Sequence, residues 1–292
     1  MAGLAASFGV FCAGERQTMR KRDRAAVLCL TLLTLVSVGP GARAARGQDP
    51  GVKPEIVLVG TVHGPTPNFR EETLVAILNR VKPDLILLEL DPSFFDGSLN
   101  LPEAHRGVSL ESRAATAYAK TAGARLRPFD IEGRNRFYQE HDYFNREAKL
   151  NQEVARLYDT GQLAPEARLL FERLLSLSAV RDACGNERPE VINSAACDTA
   201  VEKKHHYAFK GLGRIIELTP ALKEAGPFWT LADDFWARRN GEMVRNIVKY
   251  AKELRPRRAV VLSGFEHRSY LRRRLAEQAS GEGFVVREYW DY

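Results

Sequence analysis

Apolar residues along the chain alternate between short continuous runs and runs with helical spacing. Three of the continuous runs have the length of strands that are buried on both faces of a sheet: Ile56–Val59, Leu85–Leu88 and Ala259–Leu262. Between the first two runs, residues 68–81 place apolar side chains three and four positions apart, which is typical of an amphipathic helix. This strand, helix, strand succession indicates a parallel crossover.

The whole pattern predicts an α/β fold with a mostly parallel central sheet flanked by helices. The predicted strands are Glu55–Thr61, Leu85–Leu90, Arg125–Ile131, Ala259–Ser263 and Phe284–Trp290. Residues 134 to about 255 interrupt the alternation with helical segments, which end in a long helix from about Leu231 to Leu254. We therefore expect one domain over residues 45–292, with a helical insertion between the third strand and the C-terminal strands.

Residues 1–44 have the composition of a secretory signal peptide. A basic cluster over Arg20–Arg24 precedes the apolar stretch Ala25–Val38, and the segment ends in an A-x-A cleavage sequence. The apolar stretch is too short for a comfortable membrane span, and an uncleaved anchor is the alternative. Met1 and Met19 are both possible starts of this leader. We expect a periplasmic or extracellular protein that has no stable membrane span after the leader is cleaved.

The charge of the mature chain is close to neutral. The full sequence has 43 Lys and Arg against 37 Asp and Glu, a net charge of +6. Residues 1–44 hold six basic and two acidic residues, which leaves 37 basic (43 minus 6) and 35 acidic (37 minus 2) residues. A net charge of +2 gives no reason to expect nucleic acid binding. A small molecule or a peptide is the expected substrate.

Two of the four cysteines, Cys184 and Cys197, lie outside the leader. The oxidising compartment that an exported protein enters favours a disulfide between them. The segment between them is rich in turn-forming residues, as expected for a small closed loop. Two free thiols are one alternative, and a structural zinc that also uses the nearby His205 and His206 is another.

Candidate chemistry is concentrated where the predicted strands end. Two Gly-x-x-His elements, Gly60–His63 and Gly264–His267, each follow an apolar strand, and Glu89 follows the second strand. The carboxyl ends of parallel strands meet at one edge of a sheet, so His63, Glu89 and His267 are expected to converge. Two histidines and a glutamate are also a ligand set for a catalytic divalent metal such as Zn, Mn or Co.

The long helix carries a second polar signal. Asn240 falls within its apolar stripe, and Arg239 lies at the edge of that stripe. A buried amide and a buried guanidinium both need partners. One interpretation is that both side chains point into the site. The other is an ordinary ion pair of Arg239 with Glu89 or with Asp130, which lies near the end of the third strand.

Taken together, these motifs resemble the TraB/PrgY, GumN and Tiki superfamily, which is similar to erythromycin esterases and to ChaN-like haem-binding proteins. The resemblance is carried by Val59–His63, Glu89, the Arg239-Asn240-x-x-Met243 helix and Ser263–His267. It covers roughly residues 55–135 and 228–280. It implies a parallel or mixed sheet with a helical elaboration. It also implies either a metal-dependent peptidase or an esterase that activates water with histidine and glutamate.

A mechanism follows from these residue types. A metal held by the two histidines and Glu89 would lower the pKa of bound water toward ~7. Glu266 or Asp130 would take the proton, and Arg239 would stabilise the developing oxyanion. Without a metal, a His–Glu pair would act as the general base.

The sequence therefore predicts an exported hydrolase that acts on an ester, lactone or peptide bond through a His63, Glu89 and His267 site. Two alternatives stay open. One is a ChaN-like protein that binds haem or a metal without catalysis. The other is a protein that sequesters a peptide. The superfamily more often has small residues where this chain has Phe265 and Glu266, so the resemblance does not carry over a substrate.

Overall fold

A five-stranded parallel sheet forms the centre of the protein in a computed structural model that describes residues 52–292. The strands are β1 (Glu55–Thr61), β2 (Leu85–Leu88), β3 (Arg125–Pro128), β4 (Arg258–Gly264) and β5 (Val285–Arg287). Their order across the sheet is β3-β2-β4-β1-β5, and each neighbouring pair is parallel. The α/β fold that the hydrophobic pattern predicts is confirmed.

Helices surround this sheet and account for most of the described residues. They are α1 (Glu71–Val81), α2 (Leu110–Ala122), α3 (Arg134–Glu140), α4 (Tyr143–Asp159), α5 (Pro165–Gly185), α6 (Pro189–Ile192), α7 (Ala195–His206), α8 (Leu212–Leu218), α9 (Gly226–Leu254) and α10 (Phe265–Glu282). Short 3₁₀ turns lie at Pro92–Phe94, Glu103–His105, Pro220–Ala225 and Tyr289–Asp291, and a π-helical turn lies at Tyr207–Gly211.

Alternate residues of each strand point to opposite faces, so the continuous apolar runs fill two cores. Val57 and Val59 of β1 lie on the face that α1 and α2 cover. Ile56 and Leu58 lie on the face that α9 and α10 cover. All four side chains are at most 1% exposed. Both faces of the sheet are therefore covered, which is why these strands are apolar throughout instead of alternating.

The helical insertion lies between β3 and β4, as predicted, and has a hydrophobic core of its own. Its buried residues come mainly from α3, α4, α5, α8 and α9 and include several large aromatic side chains. Examples are Tyr143, Phe171, Phe228 and Trp229. The N-terminal part of α9 packs in this core, and its C-terminal part packs on the sheet. A single long helix thus joins the insertion to the sheet.

Several predicted boundaries are wrong. The long helix begins at Gly226 instead of Leu231, and the last strand covers Val285–Arg287 instead of Phe284–Trp290. The segment 182–198, which its composition marks as turns, contains the end of α5, all of α6 and the start of α7. Helix ends depend on local capping and tertiary contacts, so residue types alone place them only to within a few residues.

A disulfide joins Cys184 of α5 to Cys197 of α7, with the two Cα atoms 5.8 Å apart. The predicted pairing is therefore confirmed. Within residues 52–292, none of the helices has the length and apolar character that a membrane span requires. The predicted signal peptide, residues 1–44, lies outside the described residues.

Truncation of a central strand residue tests this core. Leu87 of β2 is fully buried on the α9 and α10 face, and we expect Leu87→Ala to lower the free energy of unfolding by about 2–5 kcal/mol. Leu169→Ala is the matched control, because Leu169 on α5 is 67% exposed and its loss should change stability by no more than about 0.5 kcal/mol. Urea unfolding followed by circular dichroism measures both. Equal losses for the two variants would contradict the assigned core.

Candidate functional site

The three residues predicted to converge do so at the carboxyl edge of the sheet. His63 lies in the turn after β1, Glu89 follows β2, and His267 lies in the first turn of α10, directly after β4. The Nε2 atom of His63 is 3.7 Å from Oε1 of Glu89, and the Nε2 atom of His267 is 3.4 Å from the same oxygen. Two imidazoles from opposite ends of the chain therefore face one carboxylate oxygen, as the strand-end argument predicts.

The glycine of the second motif makes room for the histidine of the first. A Cβ atom added at Gly264 would lie only 2.4 Å from Nε2 of His63, closer than any side chain can approach. His63 itself has a left-handed backbone conformation with a φ of 58°, which histidine adopts more readily than most residues. The turn after β1 therefore positions the His63 ring on one side, and the backbone of Gly264, which has no side chain, packs against it on the other.

The remaining nitrogen of each ring faces an oxygen acceptor. Nδ1 of His63 lies 3.0 Å from Oε1 of Glu111, and Nδ1 of His267 lies 2.8 Å from Oδ1 of Asn240. The Asn240 amide donates its own N–H to the carbonyl of Trp236 at 2.8 Å, which turns Oδ1 toward the histidine. Both acceptors require a proton on Nδ1. In the neutral rings, both Nε2 atoms therefore carry the lone pair.

Glu111, in the first turn of α2, is the strongest of these acceptors. Its carboxylate also accepts the hydroxyl of Thr61, and its side chain is buried. Burial by itself raises the pKa of the Glu111 carboxyl, but the charge and hydrogen bond of His63 and the Thr61 hydroxyl outweigh it and lower this pKa to about 2. Glu111 is therefore ionised at neutral pH and stabilises the protonated form of His63.

Arg239 holds Glu89 in place from the protein interior. Its fully buried guanidinium donates to Oε1 of Glu89 at 2.7 Å, to both oxygens of Asp130 at 2.9 and 3.0 Å, and to the hydroxyl of Tyr138 at 3.2 Å. The interpretation of Arg239 as an ion-pair partner is confirmed, with both predicted carboxylates. A guanidinium enclosed in this way orients Glu89. The oxyanion contact that the sequence suggested for Arg239 has no support in this arrangement.

Asp130 is likewise part of this support and not a proton acceptor. Both of its oxygens accept guanidinium N–H groups, from Arg239 and from Arg134. Burial raises the pKa of the Asp130 carboxyl, but the two guanidinium groups outweigh burial and lower it to about 2. A carboxylate so strongly stabilised is a poor base at neutral pH, and this corrects the proton-accepting role considered for Asp130.

The geometry does not fit the divalent metal that the sequence suggested. Oε1, the Glu89 oxygen that faces the imidazoles, also accepts the buried Arg239 guanidinium, and Oε2 accepts the backbone N–H of Gly264 at 2.7 Å and the hydroxyl of Ser263 at 2.9 Å. A dication bound at Oε1 would be repelled by the adjacent guanidinium. Among residues 52–292, His, Cys, Asp and Glu side chains form no group of three or more that is arranged to hold a metal ion.

Glu266 belongs to a neighbouring buried cluster and not to the imidazole pair. Its carboxylate forms ion pairs with Arg181, with Lys204 at 3.8 Å and with His205 at 2.5 Å. Burial raises the pKa of the Glu266 carboxyl, but the charges of Lys204 and Arg181 and the hydrogen bond with His205 outweigh burial and hold this pKa well below its usual range. Glu266 is thus already engaged with these three partners, and the geometry does not support the proton-accepting role that the sequence suggested for it.

Trp236 connects this cluster to the site. Its ring stacks on His267 with ring centroids 4.4 Å apart, and on His205 with centroids 4.6 Å apart. Sequence reasoning missed three contributors: Glu111, His205 and Trp236. Glu111 resembles any acidic residue at a helix start, and the other two resemble packing residues. No spacing rule indicates that Glu111 and Trp236 lie beside histidines of other elements, or that His205 lies against Glu266.

Substitution of Gly264 tests the close approach to His63. Gly264→Ala should displace the His63 ring, shift its imidazole resonances in a ¹H–¹⁵N NMR spectrum, and lower stability by about 1–3 kcal/mol through overpacking. Gly281→Ala on α10 is the control, because its added methyl would meet no described atom within 4 Å and should leave stability equal or raise it by about 0.5–1 kcal/mol. Unshifted His63 resonances in Gly264→Ala would refute the contact.

The carboxylate of Glu111 should give a distinctive pH dependence of stability. Its folded pKa of about 2 lies below the ordinary 4.5, so its contribution is fully present above 4.5 and is lost as pH falls toward 2. We expect wild type to exceed Glu111→Gln in unfolding free energy by on the order of 3 kcal/mol near neutral pH, with the difference shrinking below about pH 4.

Urea titrations of both proteins from about pH 7 to about pH 3 measure this difference. Glu187→Gln, at an exposed position, is the control and should track the wild type at every pH. A Glu111→Gln deficit that stays constant across this pH range would show that the carboxylate is not stabilised in the folded state.

Comparison of the chain with protein-family models, with curated proteins and with solved structures returns no match. The superfamily resemblance therefore rests on the residues of this chain alone, and it stays a prediction.

Proposed function

We propose that the protein is an exported hydrolase that activates water with a histidine pair and cleaves an ester, lactone or peptide bond. The observation that carries the proposal is the convergence of the His63 and His267 Nε2 atoms on Oε1 of Glu89. A carboxylate shared by two imidazoles stabilises a proton on either ring, so one ring can be protonated while the other is neutral. Such an arrangement suits proton transfer to and from a substrate.

His63 is the proposed general base. Glu111 accepts a hydrogen bond from its Nδ1–H, so Nε2 is the nitrogen that takes a proton from water, and the ionised carboxylate stabilises the imidazolium that forms. The resulting hydroxide attacks the carbonyl carbon of the substrate. His63 is also the most accessible member of the trio, with 13% of its side chain exposed against 3% for Glu89 and for His267. We therefore propose that substrate approaches from the His63 side.

His267 is the proposed general acid. In its protonated form it donates the Nε2 proton to the departing oxygen or nitrogen, and the Glu89 carboxylate stabilises that protonated form. The stacked Trp236 ring also favours a cationic imidazole. Oδ1 of Asn240 accepts a hydrogen bond from Nδ1–H of His267 in both states, which fixes the tautomer. After cleavage, the proton gained by His63 returns to His267 and restores the starting state.

This mechanism uses the metal-free form of the predicted chemistry, because the position of Arg239 on Glu89 does not favour a dication. Export is part of the proposal. It is supported by the predicted leader and by the disulfide between Cys184 and Cys197, since disulfides persist in oxidising compartments.

The test is hydrolysis of a panel of chromogenic esters, small lactones and unstructured peptides by the mature protein. We expect turnover that survives a metal chelator. We expect His63→Gln to reduce kcat by about 10²–10⁴-fold, because His63 acts in proton transfer. We also expect some loss of stability, because the buried Glu111 carboxylate loses its imidazole partner. The kcat profile should rise with pH through the titration of one imidazole and fall through that of the other.

The matched control is His206→Gln, at an exposed position on α7, which should keep full turnover. A folded His63→Gln variant with undiminished turnover would show that the chemistry lies elsewhere. Activity that disappears with chelator and returns with a divalent metal would instead favour the metal-dependent peptidase. A wild type that is inactive throughout but gives a Soret band with haem would favour the binding protein.

A further inference from the structure

One edge of β1 lacks a strand neighbour just before the first Gly-x-x-His histidine. β5 pairs with β1 only from Glu55 to Val57, whereas β4 pairs with it as far as Thr61 on the other side. Beyond Val57, the backbone groups on the β5 side need other partners. The backbone of Gly60 has such a partner in a side chain that is distant in the sequence.

Asn193 supplies both missing hydrogen bonds. Its Oδ1 atom accepts the N–H of Gly60 at 2.6 Å, and its Nδ2 atom donates to the carbonyl of Gly60 at 3.1 Å. The N–H and C=O of one strand residue point to the same side, so a planar amide can pair with both as a neighbouring strand would. Asn193 is 1% exposed, and its amide also donates to the carbonyl of Pro189 at 2.9 Å. It therefore replaces a strand neighbour at this point.

The glycine of the first motif is what admits this amide. A Cβ atom at Gly60 would lie 3.2 Å from Oδ1 of Asn193 and 2.9 Å from Cδ of Arg268. Gly60 is followed by Thr61, whose hydroxyl donates to Glu111. His63 comes two residues after Thr61. The amide contact thus fixes the strand end from which the His63 turn departs.

Asn193 lies inside the loop that the disulfide closes. Cys184 lies at the C-terminal end of α5, and Cys197 lies in the first turn of α7. Asn193 is between them in the sequence. Cys184 is partly exposed, whereas Cys197 is buried. The loop carries no other side chain that is hydrogen-bonded to Gly60 in the described contacts. Its position on β1 is held by this amide, by the burial of Ile192 in the hydrophobic core, and by the disulfide that joins its two ends.

We infer that Asn193 is a positioning residue for His63, and that the Cys184–Cys197 disulfide keeps it there, so that reduction of the disulfide lowers activity. The inference rests on the proposed function for its effect on turnover. Reduction by a dithiol breaks the S–S bond and gives two S–H groups. The dithiol supplies two electrons and two protons and leaves as its own disulfide.

The first measurement is independent of any substrate. In ¹H–¹⁵N NMR spectra of the mature protein, Asn193→Ala should shift the imidazole resonances of His63 and leave those of His267 in place. The same selective shift should follow reduction of wild type with dithiothreitol. Assignments come from His63→Gln and His267→Gln spectra. Asn186→Ala, in the same loop but with its side-chain amide bonded to Asp182, is the control and should shift neither ring.

The second measurement is turnover, once a substrate is found. Loss of the paired amide leaves buried backbone groups of Gly60 unsatisfied, and we expect Asn193→Ala to lower kcat at least about tenfold with KM changed less. Reduced wild type and the Cys184→Ser, Cys197→Ser double variant should lose activity in the same direction, and reoxidation of the wild type should restore it.

Unshifted His63 resonances in both Asn193→Ala and reduced wild type would overturn the inference, whatever the protein hydrolyses. Shifts that spread equally over His63 and His267 would also overturn it, because they would indicate a general loosening. If Asn193→Ala fails to fold, the His63 resonances of the reduced wild type alone test the inference. A selective His63 shift in a protein without hydrolase activity would leave the positioning role intact and contradict only the proposed function.

Discussion

The buried guanidinium of Arg239 is the interaction on which the site depends. It joins α9 to the ends of two strands at once, through Glu89 after β2 and Asp130 after β3. Removing one partner from such a network leaves an uncompensated charge in the interior, which typically costs about 3–5 kcal/mol. The network therefore ties the long helix of the insertion to the sheet, and it fixes the carboxylate that both histidines face.

Close backbone approach is the second constraint, and both motif glycines serve it in different ways. Gly264 leaves space for the ring of His63, and Gly60 leaves space for the amide of Asn193. The short spacing from each glycine to its histidine then allows the chain to turn at once after the strand. Each Gly-x-x-His element in this protein thus allows close packing at its glycine and places a histidine at the candidate site.

The two histidines are equivalent in sequence but differ in their surroundings. Nδ1 of His63 meets an ionised carboxylate, whereas Nδ1 of His267 meets a neutral amide and its ring lies against Trp236. A carboxylate partner stabilises the imidazolium directly, and an amide partner only orients the ring. In the proposed mechanism, this difference assigns the role of base to His63 and the role of acid to His267.

The sequence by itself determined the layers and the meeting of the motif residues. Continuous apolar runs can be buried only between two helical layers, and parallel strands must present their carboxyl ends at one edge, so His63, Glu89 and His267 had to be near one another.

Tertiary structure alone decided which carboxylates face those rings. Glu266 is adjacent to His267 in sequence, yet the start of α10 directs it into the cluster with Arg181 and His205. Glu111 is 48 residues from His63 and reaches its ring because the start of α2 lies against the end of β1, where Thr61 also bonds to Glu111. Side-chain direction at a helix start depends on the packing of whole elements, and no local pattern of residues encodes it.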